Sequence, residues 1–294
     1  MADFVQKYSV QRWLESCPQG YLEGTQYGHA SDAHEAELLL QNEVLREEAI
    51  RTTVQLIAGE CCALAASSGL INAAPDDASK LFLATQTLDE ARHVEIFSQR
   101  LLDLGVERSE LDSVIQAHVE PSLVKFAEAL LEKIDKKDYL AGVVGQNLIL
   151  EGMAFTVFEL LHAMQLKLNP KFAQTLAGTI ADERRHVGFG ENRIATLIKG
   201  HADKKAEVQR LQREMSGHML ATFASSFKKA EAAFKESRKL IEPTQPAPFH
   251  GTDLATAGLD DIHGALSSTV LHEFQSRLAR VGIADLAEAK PRLI

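Results

Sequence analysis

The sequence predicts an all-α fold, and three observations lead there. Aromatic residues are only 6% of the 294, and Gly and Pro number just 18 and 8. Strands favour aromatic and β-branched side chains and need turn residues between them, so this is a poor supply for sheets. The breakers also fall between long stretches of helical apolar spacing, and capping residues stand where those stretches begin.

Residues 1–30 read as a mixed N-terminal arm containing Gly and Tyr. Ser31 and Asp32 offer N-caps for a first helical run reaching about Ser68. Pro75 with Asp76 and Asp77 opens a second run that ends near Gly105, because proline suits a first turn and acidic residues complement its dipole. A third run covers 110–135, and a fourth extends from near Asp138 to Leu168, where Asn169-Pro170 stops it. Pro170 begins the fifth, which ends near Gly200, and a charge-rich sixth spans 202–240. Residues 31–240 thus form a helical bundle with flanking helices. Pro243, Pro246, Pro248 and Gly251 make 241–259 a linker. In 260–294, helical spacing of Leu266, Val270, Leu271, Phe274 and Leu278 predicts a last helix, with a tail, docking on the bundle.

Composition narrows the function. With 45% hydrophobic and 24% charged residues the chain has enough apolar side chain for a large core. A formal net charge of -10 has the wrong sign for phosphate neutralisation, so no nucleic-acid partner is expected. No unbroken apolar stretch reaches about 18 residues and the N-terminus lacks a basic, then apolar, leader, so the expectation is a cytoplasmic protein without a membrane span. Cys17, Cys61 and Cys62 form no CxxC, which leaves neither a disulfide framework nor a rubredoxin-type site.

The chemistry lies in an internal echo, Asp89-Glu90-Ala91-Arg92-His93 and Asp182-Glu183-Arg184-Arg185-His186. In each, Glu precedes His by three residues, which on a helix puts both side chains on one face where they can touch one cation. Apolar residues flank both: Leu81, Leu83, Leu88, Val94 and Phe97 the first, Leu176, Ile180, Val187 and Phe189 the second. One such motif on a helix is common by chance; two with matching Asp and Arg neighbours are not. Glu60 in IAGECCALAA and Glu151 in NLILEGMAF are each the lone ionisable residue of an apolar stretch. Adjacent members of the series Glu60, Glu90, Glu151 and Glu183 are separated by 30, 61 and 32 residues. Gaps near 30 fit antiparallel helix pairs meeting at mid-length, and the long gap leaves room for a crossover. One Glu from each of two helices plus Glu-x-x-His from each of two others is the ligand pattern of di-iron and di-manganese carboxylate bundles.

On GECC, LDEARHVEIF, LEGMAF and ADERRHVGFG, over residues 40–200, the chain resembles the ferritin-like di-iron carboxylate superfamily, in the branch of the ribonucleotide reductase small subunit and its oxidase relatives. That resemblance implies a ferritin-like four-helix bundle with Glu60, Glu90, His93, Glu151, Glu183 and His186 as ligands of two metal ions. It also implies Asp89 and Asp182 as acceptors for the imidazole N–H groups, and a homodimer. The pair would be Fe/Fe, with Mn/Fe or Mn/Mn compatible with the same donors. Phe97 stands where reductase subunits carry their radical tyrosine, and the last of the four tyrosines is Tyr139. Ala63 and Gln146 occupy the positions where ligand-binding oxidase relatives form a Val–Tyr crosslink, so that crosslink is not expected. Thr179 stands where N-oxygenase relatives place a third His, and His162, three turns beyond Glu151, is too far along its helix to join the site.

The function expected is an O2-activating oxidase or oxygenase, the di-metal centre itself being the catalyst, acting on a small organic or fatty substrate. Phe97, Gln146, Leu148, Phe155, Thr179 and Ile180 would wall a dry pocket. An external electron donor, a ferredoxin or a reductase, would supply electrons. The alternatives are a reductase-type small subunit with a metal-centred oxidant and a ferritin- or rubrerythrin-like ferroxidase.

Overall fold

The structure is a computed structural model that describes residues 35–240 and 246–283. The arm 1–30, the Ser31 and Asp32 caps, Cys17 and the chain beyond residue 283 lie outside the described residues. The predicted first run is divided at Asn42, giving α1 (Glu37–Gln41) and α2 (Glu43–Ile71). Asn42 is a better cap than anything else nearby, its side chain accepting from Leu45 N at 3.1 Å. Asp76 caps α3 (Asp77–Asp103). The predicted third run breaks at Pro121 into α4 (Leu111–His118) and α5 (Pro121–Asp135), since proline cannot continue the helix before it.

The fourth run is one long helix with an irregular centre: α6 (Tyr139–Val143), a π-helical segment Val144–Leu150, and α7 (Glu151–Leu168). Asn169 and Pro170 start α8 (Pro170–Ile198) as expected. The sixth run divides into α9 (Ala202–Lys229) and α10 (Glu231–Leu240). Within the predicted linker, Pro248–Phe249 and Thr252–Asp253 pair as a minimal hairpin, β1 and β2, before α11 (Leu259–Arg280). Ile262, Leu266, Val270, Phe274 and Leu278 of α11 are buried against the bundle, and Arg277 and Arg280 meet Glu191 of α8 at 3.3 and 2.7 Å.

The bundle proper is α2, α3, the α6–α7 helix and α8. The seam of α2 and α3 is set by three polar pairs: Arg100 Nη1 donates to Thr53 Oγ1 at 2.9 Å, His93 Nδ1 faces Glu60 Oε2 at 3.4 Å, and Thr87 Oγ1 meets Ser67 Oγ at 3.1 Å. Along α2 these partners recur every seven residues, so slipping one helix past the other by a turn would strand all three pairs in the core. Buried residues on α3 follow steps of four and three through Leu83, Gln86, Glu90, His93, Phe97 and Arg100. Leu81 and Leu88, expected to help enclose the first motif, lie on the outer face at 71% and 39% exposure. Polar side chains, not these leucines, occupy the inner stripe. Gly142 admits close approach: a Cβ there would meet Leu70 Cδ2 at 2.5 Å and Ile134 Cδ1 at 2.7 Å.

Two helical stretches, Glu43–Ile71 and Tyr139–Leu166, are long and apolar enough to cross a membrane, which a scan for unbroken apolar runs overlooks. Each carries a buried glutamate midway, Glu60 or Glu151. Such helices form the core of a bundle as readily as a membrane span.

A buried ion pair ties three helices together. Arg100, 6% exposed, donates from Nε to Glu35 Oε1 at 3.0 Å, while its guanidinium lies 3.3 Å above the Phe172 ring. Asn169, the α8 cap, also donates to Glu35. Truncating Arg100→Ala leaves the Glu35 charge buried, and urea unfolding is expected to show a loss of about 3 to 5 kcal/mol.

Candidate metal centre

The two main apolar clusters of the core leave a layer between them. One contains Ile57, Ile96, Phe97, Phe158 and Leu176; the other contains Ala66, Leu70, Leu83, Leu148 and Ile194. On each of the four helices the candidate ligands fall between residues of the two clusters. Glu60, Glu90, His93, Glu151, Glu183 and His186 are all 4% exposed or less. The structure therefore brings all six predicted residues together, in two groups that share Glu90. Donor atoms of Glu60, Glu90, His93 and Glu183 lie within 4.8 Å of one another, as do those of Glu90, Glu151 and His186. Glu183 reaches both imidazoles, 3.6 Å from each Nδ1.

Both imidazoles turn Nδ1 toward the carboxylates and Nε2 away. His93 Nε2 faces Asp182 Oδ2 at 3.2 Å and His186 Nε2 faces Asp89 Oδ2 at 3.2 Å. The support is crossed: each Asp orients the imidazole of the other motif, which locks α3 to α8. Arg185 bridges the two carboxylates, at 2.9 Å to Asp89 and 2.7 Å to Asp182, and Arg92 donates to Asp182 from the other helix. With Nε2–H held by a carboxylate, Nδ1 is left as the coordinating nitrogen.

The donor set fits a pair of divalent cations. Four carboxylates and two imidazoles are hard-to-borderline ligands suited to iron or manganese. Glu90 Oε2, Glu183 Oε2 and His186 Nδ1 are buried and make no hydrogen bond. Burial, with the neighbouring carboxylate charges, pushes the Glu90, Glu151 and Glu183 carboxyls above their ordinary range. Burial also opposes a charged His186, but its hydrogen bond to Asp89 and the negative charge of the nearby Glu183 and Glu151 carboxylates outweigh it and hold the ring at about 11. His93 is held well above its usual value in the same way, mainly by Glu60 and Asp182. Without cations the site takes up protons instead. Cys62 plays no part, since burial pushes its thiol up to about 12.

The predicted pocket wall is corrected by the structure. The principal cavity, about 280 Å3, opens from Glu60, Ala63, Glu151 and Glu183 and is lined by none of Phe97, Gln146, Leu148, Phe155, Thr179 and Ile180. Phe97 stacks in the core on Phe158, with ring centroids 6.4 Å apart; Leu148 is fully buried in the other cluster. Phe155 lies beneath Arg184 and Arg277, Thr179 bonds back to Thr175 O, and Ile180 packs beside Leu176. Gln146 instead contacts Glu151. The residues that do line the cavity run along α2 from Ala63 back to Leu45 and along α7 from Glu151 to Gln165, with Met219, Phe223 and Phe227 of α9 over them. At 1.5 Å per residue this is a predominantly apolar passage roughly 20 to 27 Å long, leading away from the carboxylates. It was missed because helical spacing does not tell which of two inward faces a residue presents. His162 joins neither donor group.

No family model matches the sequence, and no curated protein matches it. Solved structures do. An R2-like ligand-binding oxidase with aerobically reconstituted metal cofactor after photoconversion superimposes with a TM-score of 0.71 at 17% identity, over 95% of each chain. A mutant R2-like ligand-binding oxidase with an aerobically reconstituted Fe/Fe cofactor gives 0.70 at 16% identity, and one with Mn/Fe gives 0.71 at 17%, again over 95% of each chain. The chain has the R2-like oxidase fold. Ala63 and Gln146, at which no crosslink is expected, meet through Gln146 Nε2 donating to the Ala63 carbonyl at 3.2 Å.

The protonated site makes the metal-free protein sensitive to alkali. His93 and His186 are raised, so their contribution is complete below about pH 6.5 and is lost as pH rises through their folded values; the raised glutamates act in the same direction above about pH 4.5. Metal-free protein should therefore show a Tm that falls from about pH 6 to pH 9, and saturation with Mn2+ should flatten that slope.

Proposed function

We propose that this protein is an O2-activating di-metal oxidase or oxygenase that oxidises an elongated apolar substrate. One observation carries the reading: a cavity of about 280 Å3 starts at the carboxylates of the six-group layer and continues as a predominantly apolar passage. In this reading Glu60, Glu90, His93 and Glu183 would hold one ion, and Glu90, Glu151 and His186 the other. Bound there, a redox-active pair of Fe/Fe, Mn/Fe or Mn/Mn would supply the Lewis acidity and electrons for O2 reduction and substrate oxidation.

The chain's own residues do the rest. Asp182 and Asp89 hold the Nε2 protons of the two imidazoles, so that each Nδ1 stays available. The apolar clusters on either side exclude water, which would otherwise quench reactive oxygen species and weaken every electrostatic interaction in the layer. The passage between α2 and α7 would position an alkyl chain with one end beside Glu60 and Glu151, along walls that are mostly apolar. An external reductant supplies electrons between turnovers. A radical-transfer role is less well supported: Tyr139, the only tyrosine among the described residues, is twelve positions before Glu151, and the counterpart of the radical tyrosine is Phe97. Iron storage would make no use of the passage.

The test is loading with Fe2+, or with Mn2+ plus Fe2+, followed by metal analysis and optical spectra after exposure to O2. About two metals per chain and an oxygen-induced absorption band are expected, with metal lost in Glu90→Ala and Glu183→Ala. No tight metal binding would sink the reading. Blocking the passage with Ala154→Trp should retain the metals while abolishing retention of long-chain alkyl ligands, followed by mass spectrometry of solvent extracts.

A further inference from the structure

The layer is close to two-fold symmetric in sequence, with a lone glutamate and a Glu-x-x-His pair in each half, and the surroundings of Glu151 break that symmetry. Glu151 accepts hydrogen bonds from three primary amides. Gln86 Nε2 at 2.6 Å and Gln146 Nε2 at 3.1 Å reach Oε1, and Asn147 Nδ2 at 2.9 Å reaches Oε2. All three amide residues are completely buried. The counterpart Glu60 faces His93 Nδ1 at 3.4 Å and receives no amide among the described residues.

Several independent features bring the amides to this carboxylate. Gln146 and Asn147 are neighbours, and on a regular α-helix their side chains would diverge by about 100°. The π-helical segment Val144–Leu150 widens the turn and carries both onto Glu151. Gln86 stands one turn before Glu90 and also reaches Glu90 Oε1 at 3.4 Å. Asn147 fits because position 190 is glycine: a Cβ there would lie 2.3 Å from the Asn147 Cβ. Directing the amide NH2 groups at Glu151 leaves Gln146 Oε1 and Asn147 Oδ1 buried without a hydrogen bond. Such orphaned atoms are rare in folded proteins and point to a functional demand on the group.

We propose that Gln86, Gln146 and Asn147 are positioning residues that fix the orientation of Glu151 and thereby make the two metal positions unequal, a reading that rests on the di-metal centre above. A carboxylate has about four acceptor positions, so three amides leave Glu151 room for one ligand bond. The donor group containing Glu151 has three members against four on the Glu60 side, so its ion depends more heavily on a carboxylate held in place. The Glu60 half has no such support and needs none.

The experiment is a titration of full-length, metal-free protein with Mn2+ alone, read by the electron paramagnetic resonance signal of the free ion. Wild type should bind two Mn2+ per chain. Gln146→Met and Asn147→Leu should each weaken one of the two positions by about 10- to 100-fold and leave the other unchanged. In either background His93→Ala should abolish the remaining tight position, whereas His186→Ala should leave it, which assigns the weakened position to the Glu151 half. Equal weakening of both positions, as general loosening of the fold would give, overturns the proposal, and so does no change at either. Gln146→Met is the milder variant, because Gln86 still occupies Oε1, and it carries the test if Asn147→Leu does not fold. Failure of wild type to bind any Mn2+ overturns the di-metal reading itself and so is told apart from failure of the clamp.

Discussion

The organisation of this protein depends on keeping four carboxylates and two imidazoles in a dry layer across four helices. Charged groups in such a place are costly unless compensated. In the metal-free protein, protons perform that compensation: the imidazoles are held charged and three glutamates are pushed toward their neutral forms. Two divalent cations would satisfy the same layer without protons. Protons and cations would therefore compete for one set of atoms.

That layer also explains the crossed arrangement of the outer carboxylates. If Asp89 supported its own motif's imidazole, each Glu-x-x-His helix would be a self-contained unit. Because Asp89 faces His186 and Asp182 faces His93, the orientation of each imidazole depends on the helix opposite. Arg92 and Arg185 neutralise the paired aspartates, and Arg185 spans both. The register of α3 against α8 is thus fixed by the groups that aim the ligands, so an error in packing would be an error in the site.

Much of this was legible in the sequence for a physical reason. Glu-x-x-His on an apolar helix and a lone Glu in a run such as IAGECCALAA conflict with burial, and conflicts of that kind mark function. The helices, their starts at Asp76, Asp138 and Asn169, and the six clustered residues follow from local rules about caps and periodicity. The subdivisions at Asn42, Pro121 and Ala230 are finer than a periodicity window resolves. The exposure of Leu81 and Leu88 was not legible either, because the inner stripe of α3 is largely polar and an apolar count looks to the wrong side. The cavity was misplaced for a related reason: Phe97 and Leu148 are as apolar as Leu56 and Leu150, and only the tertiary arrangement decides which of them faces open space.

The π-helical segment had no sequence signature that a period of 3.6 could detect, yet it shapes the centre of the molecule. One added residue in a turn rotates everything beyond it by about 100° relative to a regular helix. Here that shift brings Gln146 and Asn147 together on Glu151. It also puts Leu150 on the cavity wall while Leu148 stays in the core. Gln146 also has a structural role apart from Glu151. Its side chain spans from Glu151 to the Ala63 carbonyl, joining the two helices that flank the passage, and it does so with hydrogen bonds. A covalent tether between α2 and the α6–α7 helix would hold the mouth of the passage at a fixed width. An amide bridge can open and re-form, so the link that Gln146 makes between α2 and the α6–α7 helix is one of hydrogen bonds.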